Sequence, residues 1–198
     1  MSSTLLTRGI QSNVSTSTPF AARGGADGDT ISSDLHGRYY QTTHDRRMYG
    51  ITGGLTTTTA AGATTFTGLL VGNPAGSGVN LAVNKIFIAQ PVALTAETEL
   101  GIMYGPSTAT ITASLTTIFN RYSGGVASAC VATAGQTITA PTAFIVLSSG
   151  GTAVQPVNHS ADLEGSLIIP PGHFFASYTS RVTTTALVFC FNWEEIPV

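Results

Sequence analysis

The sequence predicts an all-β protein, a single β-sandwich of jelly-roll type preceded by an extended N-terminal arm. Three observations predict it. Short runs rich in β-branched and aromatic residues recur at spacings of roughly 8 to 15 residues, as strands of sandwiches do. Clusters of Gly, Pro, Ser and Asn separate them, and long helical periods are missing. Only 9% of the 198 residues are charged, against about 25% in an ordinary soluble domain, with Thr, Ser, Gly and Ala in their place.

Residues 1–36, with "SNVSTSTP" and "ARGGADGDT", keep neither a period of 2 nor one of 3.6 and read as the extended arm. Residues 37–198 read as the sandwich, long enough to bury a substantial core. Within it "TTFTGLLVG" leads into the turn cluster "NPAGSG". In "VNLAVNKIFIAQP", Leu81 and Val83 share a face before the phase shifts near Lys85, which predicts a β-bulge. "ELGIMYG" places Leu100, Ile102 and Tyr104 on one side and stops at Gly105 and Pro106. "TAFIVLSSGG" repeats the pattern. In the last third, "GSLIIPPGHFFASY" and "ALVFCFNW" are apolar; the second is apolar on both faces through Cys190, as for a strand covered on both sides. The one stretch with helical character is "SLTTIFNRYSGG".

Charge and cysteine usage exclude several classes. A net charge of −2 and a sole lysine, Lys85, speak against a specific nucleic-acid binder, whose affinity rests on clustered cations. The N-terminus lacks the charged and apolar regions of a signal peptide, and no apolar run is long enough to cross a membrane as a helix. Cys130 and Cys190 lie in apolar runs, as small buried hydrophobes do; two cysteines can pair but make no disulfide framework.

The search for reactive chemistry finds little. A phosphate-binding loop needs Gly-Lys-Ser/Thr, and Lys85 sits in "VNKIF". "PAGSGV" approaches a nucleophile elbow, but Ala75 occupies the place of the first glycine. His36, His44, His159 and His173 form no ligand pair; His159 with Asp162, or His44 with Asp45, supplies two metal ligands where three or four are needed. Adjacent Glu194 and Glu195 on a strand point to opposite faces and cannot flank one glycosidic bond, and Asp162 and Glu164 read as a loop pair. Neither a catalytic residue nor a cofactor or metal site is expected.

The densest basic and aromatic cluster is "HGRYYQTTHDRRMYG", with Arg38, Tyr39, Tyr40, Arg46, Arg47 and Tyr49. Interleaved Arg and aromatic residues can stack on bases; the plainer reading is a junction where arginines pair with nearby aspartates or with acidic groups of a partner subunit, and Arg and Tyr are enriched at interfaces. These six, together with Trp193, are the candidate interface residues.

The segments "DLHGRYYQ", "LLVGNPAGSGVNLAV", "DLEGSLIIPPG" and the terminal "WEEIPV" resemble small structural proteins of tailed bacteriophages, over roughly residues 34–198. The resemblance implies a non-enzymatic virion component, made in the host cytoplasm: a capsid cement or decoration protein, assembled as a homotrimer on the major capsid protein. The alternative is a tail, fibre or receptor-binding module on the same kind of sandwich.

Overall fold

The computed structural model describes residues 37–53, 68–106, 117–134, 143–153, 158–181, 183 and 187–198. The chain divides into two units, Met1–Arg38 and Tyr39–Val198; the expected arm over residues 1–36 lies outside the described residues. In the second unit the elements run α1 (Tyr40–His44), β1 (Met48–Thr52), β2 (Leu69–Asn73), β3 (Val79–Ala89), β4 (Thr98–Pro106), β5 (Phe119–Asn120), β6 (Val131–Ala134), β7 (Ala143–Gly150), β8 (Asn158–Ile169), β9 (His173–Thr179) and β10 (Val188–Pro197). They form two five-stranded antiparallel sheets, β5-β1-β10-β3-β8 and β6-β2-β9-β4-β7, so the fold is a β-sandwich.

Strand alternation builds the core. Tyr49 and Ile51 of β1, Leu81, Val83, Ile86 and Ile88 of β3, and Phe189, Phe191 and Trp193 of β10 meet Leu69, Val71, Leu100, Ile102, Ala132 and Phe175 of the opposite sheet in one buried cluster. Phe175 lies 5.0 Å from the Phe191 ring and edge-on to Trp193, within the separations aromatic pairs favour. The second sheet also buries its other face: Leu70, Met103, Phe174, Ala176 and Tyr178 form a separate cluster. Strands β2 and β9 are therefore covered on both faces. In β10, where the sequence suggested two covered faces, Val188 and Cys190 are only half-buried, because they lie on the outer side of the first sheet.

The bulge expected near Lys85 is present: the pairing of β3 with β8 shifts between Val83 and Lys85. Opposite it, Asp162 pairs with Lys85 and Leu167 with Val83, so the residues between them must loop out of the ladder. Glu164 and Gly165 do so with φ of 53° and 79°, where glycine carries no Cβ penalty. Asp162 thus lies on the ladder of a long strand, and Glu164 in the bulge within it. "GSLIIPPGHFFASY" is two strands, one in each sheet, folded at Pro170–Gly172. The helical reading of "SLTTIFNRYSGG" also gives way: its described part holds β5 and turns, and the one helix among the described residues is α1, five residues long. None of its residues is buried.

One asparagine organises an end of the sandwich. Asn73 is 2% exposed; its side-chain amide donates to the carbonyls of Val79 (2.8 Å) and Ile169 (3.0 Å), and its own carbonyl accepts from Gly172 N–H. It ties the ends of β2, β3 and β8 together, a role only a side chain with two N–H donors fills.

Candidate interaction surface

The basic and aromatic cluster divides between core and surface. Tyr49 and Trp193 stack at 6.2 Å inside the sandwich and are 3% and 0% exposed, so these two candidates belong to the core and not to an exposed face. The indole Nε1–H of Trp193 is buried and has no hydrogen-bond partner among the described residues.

The remaining candidates sit around α1, which leads into β1. Arg47 lies 3.5 Å from Asp45 and 3.6 Å from Glu194, Thr42 donates to Glu194 at 3.3 Å, and the Arg47 carbonyl accepts from Glu195 N–H. Arg47 therefore joins the start of the sandwich to its last strand, in keeping with the junction reading. Gln41 donates to Asp45 at 2.9 Å, and this bond, ahead of the neighbouring Arg47 and His44, holds the Asp45 carboxyl below its ordinary range. Tyr39 is half-buried, while Arg38 and Tyr40 are exposed, Tyr40 stacked with His44 at 5.9 Å.

Arg46 behaves differently from Arg47. It has φ of 63° just past the end of α1, a left-handed position more often filled by Gly or Asn, and its guanidinium lies 5.0 Å from the centre of the Tyr122 ring. That contact brings in the segment Ile118–Cys130, which carries residues the sequence alone did not single out. Asn120 donates to the carbonyls of Arg46 (2.7 Å) and Val126 (3.2 Å) and accepts from Tyr122 N–H. Arg121 lies across Gly50 and donates to the side chain of Asn192. Phe119, Tyr122 and Val126 are exposed at 59%, 39% and 59%, as are Arg46 and Arg121. Strand β5 pairs with β1 on one side and ends the first sheet among the described residues.

Glu194 and Glu195 point to opposite faces, as adjacent strand residues must. Glu194 faces Arg47, whereas Glu195 is 6% exposed, accepts from Ser128 Oγ and from Ala129 N–H at 3.1 Å, and so pins the segment before β6 to β10. Next to it the Cys130 thiol is pushed well up by burial and then by the Glu195 charge; it is an inert core group, not a nucleophile. Both cysteines are free thiols. His159 bonds Ser148 Oγ through Nδ1 at 2.7 Å, and Asp162 pairs with Lys85 at 3.4 Å; each thus has a structural partner between strands. Among the described residues no three His, Cys, Asp or Glu side chains gather to hold a metal.

Compared with family models, with curated proteins and with solved structures, the chain matches none.

Proposed function

We propose that the chain is a non-enzymatic structural subunit of a virion, a cement or decoration protein that stabilises the head of a tailed phage. The observation that carries the reading is the strand order. With the short strands β5 and β6 set aside, the sheets run β1-β10-β3-β8 and β2-β9-β4-β7, and successive long strands alternate between sheets except for β4 and β7, which pair within one. We read this order as that of an eight-stranded jelly roll, an architecture recurrent in viral capsids and also used by lectins and cupins. Fold alone does not set function. The charge-poor composition lets large surfaces be covered without desolvating many ions, and the segments resembling phage structural proteins point the same way. On this reading the partners are the major capsid protein and two further copies of the chain, with the arm over residues 1–36 docking on the shell. Several weak contacts per subunit, multiplied by symmetry, then hold it in place.

Tyr122 and Phe119, exposed on one segment, favour a second reading as a receptor-binding module, since exposed aromatic rings stack on sugars. Purified chain, with and without residues 1–36, should be sedimented with phage heads stripped of cement, and its mass measured by light scattering. The cement reading expects a trimer in both forms, with co-sedimentation lost on deletion. A monomer that ignores heads and binds a glycan array would replace it with the receptor-binding reading.

A further inference from the structure

We infer that the outer face of the first sheet is a contact surface for a second copy of this chain, packed face to face about a two-fold axis. This contact is independent of the cement reading. The two sheets differ on their outer sides. The second sheet has Leu70, Met103, Phe174, Ala176 and Tyr178 buried there, whereas the first has Phe87 39% exposed on the interior strand β3. Ladder partners share a face and lie about 5 Å apart, so the register fixes this surface. One row across β1, β10, β3 and β8 is Thr52, Cys190, Phe87 and Ser160, and the next is Gly50, Asn192, Lys85 and Asp162. The Lys85 ammonium lies 5.1 Å from the centre of the Phe87 ring. Arg121 lies across Gly50 and donates to Asn192 and Cys190, so it fills the place of the side chain that Gly50 lacks.

The second row therefore runs cation, amide, cation, anion. Half a turn about an axis parallel to the strands, between β10 and β3, reverses the row. Arg121 then faces Asp162 of the partner copy, and Lys85 faces the side-chain carbonyl of Asn192, each twice. The first row matches itself under the same operation: Thr52 faces Ser160, and the Cys190 sulfur meets the Phe87 ring, a favourable contact. Within one chain Arg121 reaches neutral side chains, and three strand spacings, roughly 14 Å, separate its place in the row from Asp162. Their pairing therefore belongs between copies. A surface that pairs with itself in this way makes an isologous contact, which joins units and does not build a trimer. Four strands about 4.8 Å apart and five residues rising about 3.3 Å each make roughly 300 Å², against about 800 Å² on each side of a standard interface. The contact is therefore weak alone and shows itself at high concentration.

The test is sedimentation equilibrium of the full chain up to high concentration, comparing the wild type with Phe87→Ser, Arg121→Glu and Asp162→Arg, each checked for an unchanged far-ultraviolet spectrum. All three positions are exposed, so these changes leave the core intact. The wild type should approach twice the mass of Phe87→Ser at the highest concentration. Each charge variant should associate about tenfold or more weakly, since it sets like charges opposite each other. An equimolar mixture of Arg121→Glu with Asp162→Arg should recover the association that each lacks alone, because both opposed pairs are then of opposite sign. Equal masses for the wild type and Phe87→Ser at every concentration would overturn the proposal, and so would a mixture no more associated than its components. The readout is a ratio to Phe87→Ser, so it holds whether the associating unit is one chain or a trimer. No phage head enters this experiment, so its failure is separate from failure of the cement reading, which head co-sedimentation decides.

Discussion

The two cysteines differ in their surroundings, and that difference makes a prediction. Cys130 is buried beside the Glu195 carboxylate, and burial first, the charge second, raises its ionisation above the ordinary value of 9.0. Tyr49 is raised by burial and then by Glu195, and Tyr178 by burial and then by Glu99. In each case the unfolded chain sheds a proton that the folded chain keeps. The unfolded state then binds fewer protons, so stability present at neutral pH is lost as pH rises through the alkaline range. We expect the melting temperature to fall from about pH 9 upward, the thiol contributing at most about 1.4 kcal/mol per pH unit. Cys130→Ala should show a shallower alkaline decline than the wild type in thermal melts followed by circular dichroism. Half-buried Cys190 should react with a thiol reagent in the native protein well before Cys130 does. Equal rates would mean that the segment held by Glu195 opens readily.

At the scale of elements, the strands that carry strong alternation were legible: Leu100, Ile102 and Tyr104 mark β4, and the phase shift at Lys85 marks the bulge. What was not legible depends on distant partners. Nothing local tells that the run through Cys190 has a half-open second face while His173–Thr179 is buried on both, because that depends on which sheet each strand joins. The short helix α1 escaped because its hydrogen bonds, Gln41 to Asp45 among them, lack the apolar periodicity that betrays longer helices. The surface around Tyr122 escaped for a related reason: Arg46 and Tyr122 are far apart in sequence and meet only once β5 has paired with β1. Close strand approach gives a sharper test. A Cβ at Gly101 would collide with the Ile145 carbonyl oxygen and come within 3.0 Å of its carbon, backbone that cannot swing aside. Gly101→Ala should therefore force β4 and β7 apart and cost about 1–3 kcal/mol, whereas Gly76→Ala, with nothing within 4 Å, should be close to neutral. Chemical denaturation of both variants decides it, and equal midpoints would show that the β4–β7 pairing yields more easily than its geometry implies.

At the scale of the whole molecule, the order of strands sets when the fold can close. In the first sheet β10 lies between β1 and β3, pairing Ile51 with Phe191 on one side and Phe191 with Ile86 on the other. The last of these ten strands is thus the centre of its sheet, and it carries Phe189, Phe191 and Trp193, three of the largest fully buried side chains. Without it β1 and β3 have no partner between them, and the opposite sheet loses the aromatic layer on which Phe175 packs. Pairings this distant in sequence close slowly, since loop entropy is lost before the contacts form. A chain ending at residue 186 should therefore show no cooperative thermal transition and should expose apolar surface to a hydrophobic dye. A chain lacking residues 1–36 should keep the transition, because every strand pairing described here lies within residues 48–197. A cooperative melt from the chain ending at residue 186 would mean that the second sheet, with its own buried outer face, is stable alone. The sandwich would then be two separable layers and not one core closed by its final strand.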